Sequence, residues 1–186
     1  MTKMESTSRR ESVNGIDYAH KENFKWISVI RLPDFVTNKK KKSVEIPSSV
    51  RIGGSIYKII RIEDGAFKGM KKLKSVKFGI HVEEIGKNAF KGCSKLLFII
   101  LPKKLKTIGA GAFANCKKLK YWVVHSEGIE SVGKNAFKKV SGTAIFKTKK
   151  KLSAKYQKSF TEDGNLSKKA LFVTDPVKIK YKGKKY

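Results

Sequence analysis

Apolar residues in the centre of the chain follow one pattern that occurs four times. In each copy, an aliphatic residue stands five positions before the phenylalanine of an Ala-Phe pair, and an apolar residue stands three positions after it. The copies are IEDGAFKGM at 62–70, IGKNAFKGC at 85–93, IGAGAFANC at 108–116 and VGKNAFKKV at 132–140, with spacings of 23, 23 and 24 residues between the phenylalanines. Such a constant period predicts a unit that stacks on copies of itself, because one copy is too small to bury its own apolar face.

Within each repeat, the pattern predicts a turn-rich arch followed by an extended segment. Gly65, Asn88, Gly111 and Asn135 stand at the arch position where we expect a left-handed or capping backbone conformation. Strand alternation then places three apolar side chains per coil in the core. These are Leu73, Val76 and Phe78, then Leu96, Ile99 and Leu101, then Leu119, Trp122 and Val124. The prediction is a repeat solenoid, mainly β with short turns or helical arches, of about four coils.

The segment before the repeats predicts an N-terminal β cap. Apolar and polar positions alternate over residues 50–60 on both sides of Gly53 and Gly54, as in a β-hairpin with a tight turn. Shorter strand-like stretches precede it at 16–18, 26–32 and 44–46, and the lysine run at 39–42 is predicted to be a solvated loop. This cap would cover the first repeat, whose core would otherwise face water.

The segment after the repeats predicts a cap of one strand and one helix. Residues 144–147 can add a last strand, and Leu152, Tyr156 and Phe160 fall on one face of a short helix. The predicted organisation is a disordered tail at 1–13, the β cap at 14–61, the repeats at 62–142, the strand-helix cap at 143–173 and a loose basic tail at 174–186.

The charge of the chain narrows the choice of partners. Lysine and arginine total 43 against 15 acidic residues, a formal net charge of +28, which attracts nucleic acid, anionic wall polymers, sulfated glycans or acidic lipid. Nearly all of this charge is lysine, which lacks the planar fork of arginine that favours base reading. Diffuse attraction is therefore favoured over specific readout. A lysine-rich shell that keeps a long solenoid soluble explains the same composition equally well.

The cysteine positions predict packing in the core, and the cysteines and histidines together predict neither a metal site nor a cofactor. Cys93 and Cys116 occupy the repeat position of Met70 and Val140, so we expect buried free thiols, and a disulfide between neighbouring coils is the less favoured alternative. The histidines share no repeat position and do not approach a cysteine at ligand spacing. The longest dense apolar run, residues 96–101, is far shorter than the roughly 20 residues that a bilayer-spanning helix needs.

One repeat carries a family resemblance. The phrase IGxxAFxxCxxLxxIxLP, nearly intact at residues 85–102, resembles the BspA-like leucine-rich repeats, also called the Treponema pallidum type, of bacterial surface proteins. The resemblance covers about residues 44–166, and the capping segments resemble those of cell-wall proteins from gut Firmicutes. It implies a secreted or wall-anchored protein that acts in adhesion and is not an enzyme. The extracellular or cell-surface location follows from the resemblance alone, because the first thirty residues show no apolar export segment.

Strand alternation also predicts a binding patch beside the core. If Ile99 and Leu101 face inward, their neighbours along the strand face outward, and the same holds in the next coil. The predicted patch consists of Phe98, Ile100, Tyr121 and Val123, rimmed by Lys74, Lys77 and Lys120. An apolar patch surrounded by cations is a contact surface for protein or glycan. Alternatively, lysine stems or a register shifted by one residue leave none of it exposed.

These observations favour a non-catalytic, monomeric module for protein or cell-surface interaction, with a lysine-rich surface attracted to anionic polymers. No nucleophile elbow, phosphate loop or metal cluster is visible in the sequence, and the GGS at 53–55 precedes a predicted strand, not a helix. The alternatives are an intracellular protein that binds nucleic acid or another polyanion, and a truncated repeat fragment without an independent role.

Overall fold

The computed structural model describes residues 9–13, 16–20, 26–31, 42–52, 54–174, 178, 180–181 and 183–185. In this part of the chain, two sheets run along a stack of coils. After each arch the chain adds a strand to one sheet, crosses the core, and adds a strand to the other before the next arch begins. The predicted repeat solenoid, mainly β, is therefore confirmed.

One sheet is parallel throughout and receives the longer strand of each coil. Its strands are β4 (Ser43–Glu45), β7 (Ser75–Lys77), β9 (Phe98–Leu101), β11 (Tyr121–Val124), β13 (Ile145–Lys147) and β14 (Leu171–Val173). Their spatial order is β4, β7, β9, β11, β13, β14. The repeat period sets the register, because Ser75, Phe98 and Tyr121 stand opposite one another on neighbouring strands. Equivalent residues of successive coils thus lie about 4.8 Å apart.

The second sheet combines the N-terminal strands with the short strands that close each coil. It contains β1 (Arg9–Val13), β2 (Ile16–His20), β3 (Trp26–Arg31), β5 (Ser49–Ile52), β6 (Ser55–Ile62), β8 (Glu84–Ile85), β10 (Thr107–Ile108) and β12 (Ser131–Val132). The pairs β1–β2, β2–β3 and β5–β6 are antiparallel, and β3, β6, β8, β10 and β12 follow one another in parallel. The predicted hairpin at 50–60 is confirmed, and Gly54 adopts a positive φ of 83° in its turn.

The arches stack through backbone hydrogen bonds that join one coil to the next. The amide of Gly65 donates to the carbonyl oxygen of Lys87 at 2.8 Å, and the amides of Asn88 and Gly111 donate to the equivalent carbonyls one coil further on. Gly65, Asn88, Gly111 and Asn135 have φ between 55° and 69°, which confirms the predicted left-handed conformation. Glycine and asparagine tolerate it because they suffer least from the steric conflict of the Cβ atom.

Stacked phenylalanines form the centre of the core. Phe67 and Phe90 have ring centroids 4.9 Å apart, Phe90 and Phe113 5.3 Å, and Phe113 and Phe137 6.0 Å, all with nearly parallel planes. The apolar strand residues predicted for the core are buried. Cys93 and Cys116 are buried free thiols, as predicted, and each Sγ donates to the carbonyl oxygen of the preceding coil's phenylalanine, at 3.2 and 3.1 Å.

The C-terminal end of the stack is covered by β13 and by the helix α1 (Ser153–Thr161), as the sequence predicts. Tyr156 and Phe160 of α1 are fully buried, and the ring of Phe160 lies 4.7 Å from that of Phe137. The hydroxyl of Tyr156 donates to the carbonyl oxygen of Ser126 at 2.8 Å, which ties the helix to the last turns of the repeats.

The terminal segments differ from the sequence interpretation. Residues 9–13, predicted to be disordered, form β1, because the antiparallel partner β2 satisfies their backbone groups. Residues 1–8 and 39–41, to which the predictions of a tail and a solvated loop also apply, lie outside the described residues. In the predicted basic tail, β15 (Lys180–Tyr181) pairs with β16 (Lys184–Lys185). No helix in the described part of the chain is long and apolar enough to traverse a bilayer.

Candidate functional site

The parallel sheet carries a second apolar cluster on the face that points away from the main core. Ile99 and Trp122 belong to the main core, whereas Phe98 and Val123, one position away on the same strands, form a cluster of their own. Ile100, Tyr121 and Ile145 pack against it. The alternation inferred from the sequence is therefore correct, since neighbouring side chains on a strand lie on opposite faces.

Two of the four predicted patch residues are not exposed, however. Phe98 and Val123 are each 4% exposed, while Ile100 and Tyr121 are half-buried. Phe98 stands opposite Tyr121, and Ile100 stands opposite Val123, on adjacent strands. Large side chains in such cross-strand pairs cover one another's sides. The prediction of a fully exposed patch is therefore wrong for Phe98 and Val123.

The three predicted rim lysines differ in their exposure and in the groups that they contact. Lys77 is exposed and forms a salt bridge with Glu45 on the neighbouring strand. Lys120 is half-buried, with its ammonium nitrogen 5.5 Å from the centroid of the Tyr121 ring, within the range of a cation–π contact. Lys74 is exposed. Of the three, Lys77 lines the groove described next.

A groove of about 740 Å³ crosses this face of the sheet. Its lining is mostly apolar, and it combines strand residues with residues that follow the carboxyl ends of successive strands. Its lining includes Val76, Phe78, Ile80, Phe98, Ile100 and Pro102 as apolar residues, and Glu45, Lys77, Lys103, His125, Glu127 and Lys149 as charged or titratable ones. The structure thus brings Phe98, Ile100 and Lys77 of the predicted patch into one site, and leaves Tyr121, Val123, Lys74 and Lys120 outside its lining.

Ion pairs hold the rim of the groove. Glu127 accepts hydrogen bonds from Lys149 and from Lys151, the latter at 2.9 Å, and these two ammonium groups lower the pKa of Glu127 to about 2. Burial, with a smaller contribution from Lys147, lowers the pKa of His125 and so favours its neutral imidazole. Ile80, in contrast, leaves 64% of its surface exposed. The groove therefore offers apolar contact framed by fixed charges.

Several groove residues were missed by the sequence analysis. Ile80, Lys103, His125 and Lys149 follow the strands of four successive coils, so parallel pairing gathers them at one edge of the sheet. The repeat period predicts that these segments lie side by side, but it does not predict which of their residues line a groove. Within the described residues, no three histidine, cysteine or acidic side chains are grouped so as to hold a metal ion.

Comparison with known proteins agrees with this architecture. A family model described as the BspA type leucine-rich repeat region matches residues 60–174 in six copies. The chain belongs to the BspA-type leucine-rich repeat family. The six copies extend past the four phrases read from the sequence, into the segment that contains β13, α1 and β14. No curated protein matches the sequence.

Solved leucine-rich repeat structures share the fold. A leucine-rich repeat protein of Bacteroides ovatus is 25% identical with a TM-score of 0.63, over 89% of this chain and 37% of its own. A leucine-rich cell surface protein of Faecalibacterium prausnitzii is 21% identical with a TM-score of 0.60, over 75% of this chain and 37% of its own. The leucine-rich repeat protein of T. pallidum is 20% identical with a TM-score of 0.53, over 90% of this chain and 84% of its own. The chain thus spans little more than a third of the two larger proteins.

Proposed function

We propose that this leucine-rich repeat chain is a non-catalytic interaction module of the adhesion type, which binds a protein partner at a cell surface through the groove on its parallel sheet. The observation that carries the proposal is the groove itself, with a mostly apolar lining, an exposed Ile80 and two ion pairs among its lining residues. Apolar anchors surrounded by polar groups are the usual composition of protein interfaces.

Two further observations support this function. The family is one of repeat proteins, in which stacking of coils creates an extended surface suited to a macromolecular partner. The structurally similar F. prausnitzii protein is a cell surface protein, which supports an extracellular or cell-surface location for this chain. The net charge of +28 adds a diffuse attraction to anionic wall polymers and host glycans.

The test compares two exposed isoleucines. Ile80 lies in the groove, whereas Ile56 is 58% exposed and lies outside its lining. Binding of the fluorescently labelled chain to epithelial cells and to immobilised matrix proteins is measured for wild type, Ile80→Asp and Ile56→Asp. We expect Ile80→Asp to weaken binding by about tenfold and Ile56→Asp to change it little, because a charge disrupts an apolar contact centre. Equal effects of the two substitutions would contradict the groove as the binding site.

The second candidate function is an intracellular polyanion binder, favoured by the same excess of lysine. A salt titration on immobilised heparin, teichoic acid and DNA separates the two functions. Selective retention on DNA above physiological ionic strength would favour nucleic-acid binding, because counterion release makes such binding strongly salt-dependent.

A further inference from the structure

A lysine-lined depression lies on the arches, away from the groove. Its volume is about 430 Å³, and it shares no lining residue with the groove. Five lysines surround it: Lys87, Lys91, Lys134, Lys138 and Lys139. The rest of its lining consists of alanine, glycine and asparagine, with no acidic and no aromatic side chain.

We number the coils by the four copies of the repeat, so the third coil begins with the copy at 108–116. The depression exists because this third coil departs from the repeat at two positions. Ala110 stands where the neighbouring coils have Lys87 and Lys134, and Ala114 stands where they have Lys91 and Lys138. The amide of Gly92 donates to the carbonyl oxygen of Ala114, and the amide of Asn115 donates to that of Lys138, both at 2.8 Å. The arches are therefore in register. The backbones that carry the lysines on the two sides are separated by two coil spacings, or about 10 Å.

The lysines of the depression are not among the lysines that form ion pairs with carboxylates in the described part of the chain. Lys77, Lys106, Lys149 and Lys151 each contact a carboxylate. None of the five lysines around the depression pairs with a carboxylate in the part of the chain that the structure describes. Their charges are thus available to an anion from solution.

The fifth lysine occupies a backbone conformation that its neighbours reserve for other residue types. Lys139 has a φ of 59°, and the equivalent residues are Gly69, Gly92 and Asn115, also with positive φ. A lysine is unfavourable there because its Cβ atom conflicts with the backbone. This coil therefore adds a fifth cation to the lining of the depression, at a position where the other coils have an uncharged residue.

We propose that this depression binds one unit of an anionic polysaccharide, with its sulfate or carboxylate groups held between the lysines of the second and fourth coils. The side-chain amides of Asn88 and Asn115 would donate to and accept from sugar hydroxyls, while the amide oxygen of Asn135 already accepts a hydrogen bond from Asn165. A glycan fits better than nucleic acid, because single-stranded nucleic acid is held mainly by stacking on aromatic side chains, which this lining lacks. This inference rests on the proposed attraction of the chain to anionic polymers, and it locates part of that attraction in the depression.

The experiment measures affinity for a size-defined heparin oligosaccharide by calorimetry. The site variant K87Q/K91Q/K134Q/K138Q is compared with the control K71Q/K72Q/K117Q/K118Q, which removes the same charge from exposed lysines outside the depression. We expect the site variant to lose about tenfold or more in affinity and the control no more than about threefold, since only the former removes direct anion contacts. Equal losses overturn the site and leave the diffuse attraction intact.

A third variant separates shape from charge. Ala114→Lys fills the depression with the residue that its neighbouring coils already accept at this position, and it raises the net charge. A built site predicts weaker oligosaccharide binding, whereas diffuse attraction predicts tighter binding, which would overturn the proposal.

Single-stranded DNA of equal charge is expected to bind more weakly than the oligosaccharide, and equal or tighter binding overturns the glycan assignment. Ile80→Asp is expected to leave oligosaccharide binding unchanged, so failure of the groove is distinguished from failure of this site.

Discussion

The rings of Phe90 and Phe113 are stacked, with centroids 5.3 Å apart and planes inclined by 3°. Their positions differ by one repeat period of 23 residues, so the stack is a direct product of the repeat. Phe113 also contacts Phe137 and Trp122. The centre of the core is thus a continuous aromatic column, and its residues differ in how many rings they touch.

The first prediction concerns this column. Phe113 contacts three rings, whereas Phe67, at its end, contacts one ring among the described residues. We expect Phe113→Leu to lower the free energy of unfolding more than Phe67→Leu, by about 1–2 kcal/mol, because each aromatic pair contributes beyond the area it buries. Urea denaturation of the two variants measures the difference. Equal losses would show that the column is a set of independent apolar contacts.

A second prediction concerns a close approach between coils. A Cβ atom at Gly109 would lie 2.6 Å from the backbone nitrogen of Lys87, and backbone cannot move aside as a flexible side chain can. We expect Gly109→Ala to destabilise the fold by at least about 2 kcal/mol, in the range of overpacked sites. Gly128→Ala is the control, because no atom lies within 4 Å of its added Cβ. Thermal unfolding of both variants checks this, and a stable Gly109→Ala would contradict the stacking distance.

The third prediction concerns pH. Lys149 and Lys151 lower the pKa of Glu127 to about 2 from an ordinary value of 4.5. The stabilisation from this carboxylate is therefore complete above about pH 4.5 and is lost as the pH falls towards 2. We expect wild type to be more stable than Glu127→Gln at pH 7, with most of the difference lost by pH 2 and the whole difference smaller in high salt. Chemical denaturation of both proteins across this range tests it, and a difference as large at pH 2 as at pH 7 would refute the ion-pair origin.

The fourth prediction concerns the thiols. Burial, with a smaller contribution from the neighbouring Cys93, raises the pKa of the Cys116 thiol well above its ordinary value. Since the thiolate is the reactive form, we expect no labelling by iodoacetamide at pH 8 in the native protein and full labelling of both cysteines in guanidinium chloride. Mass spectrometry counts the adducts. Labelling of the native protein at the rate of a free thiol would contradict the buried, reduced arrangement.

The coils were predictable because each obeys the same spacing. The neighbouring repeats have apolar residues at the positions equivalent to Leu96, Ile99 and Leu101, so the pattern does not arise by chance. The structure confirms that these residues lie in the core. Asn88 and Asn135 were also recognisable, because few residues other than glycine tolerate a positive φ.

The exposure of the outer face was not predictable in the same way. Alternation fixes which face Phe98 occupies, but its 4% exposure depends on the side chains of adjacent strands, which the pattern along one strand does not contain. Ile80 and His125 were missed because they follow the strands, where residue type does not repeat from coil to coil. β1 was missed because four of its five residues are polar, and pairing with β2 forms the strand without an apolar pattern.

The hydrogen bonds between arches have a consequence for the length of such molecules. The amides of Gly65, Asn88 and Gly111 each donate a hydrogen bond to the following coil. Every coil therefore presents the same hydrogen-bonding groups to its neighbour. Duplication of one complete unit in the gene would lengthen the protein while repeating the same hydrogen bonds between arches and leaving both end caps in place. Evolution can therefore change the reach of this scaffold by whole units, without redesigning its interior.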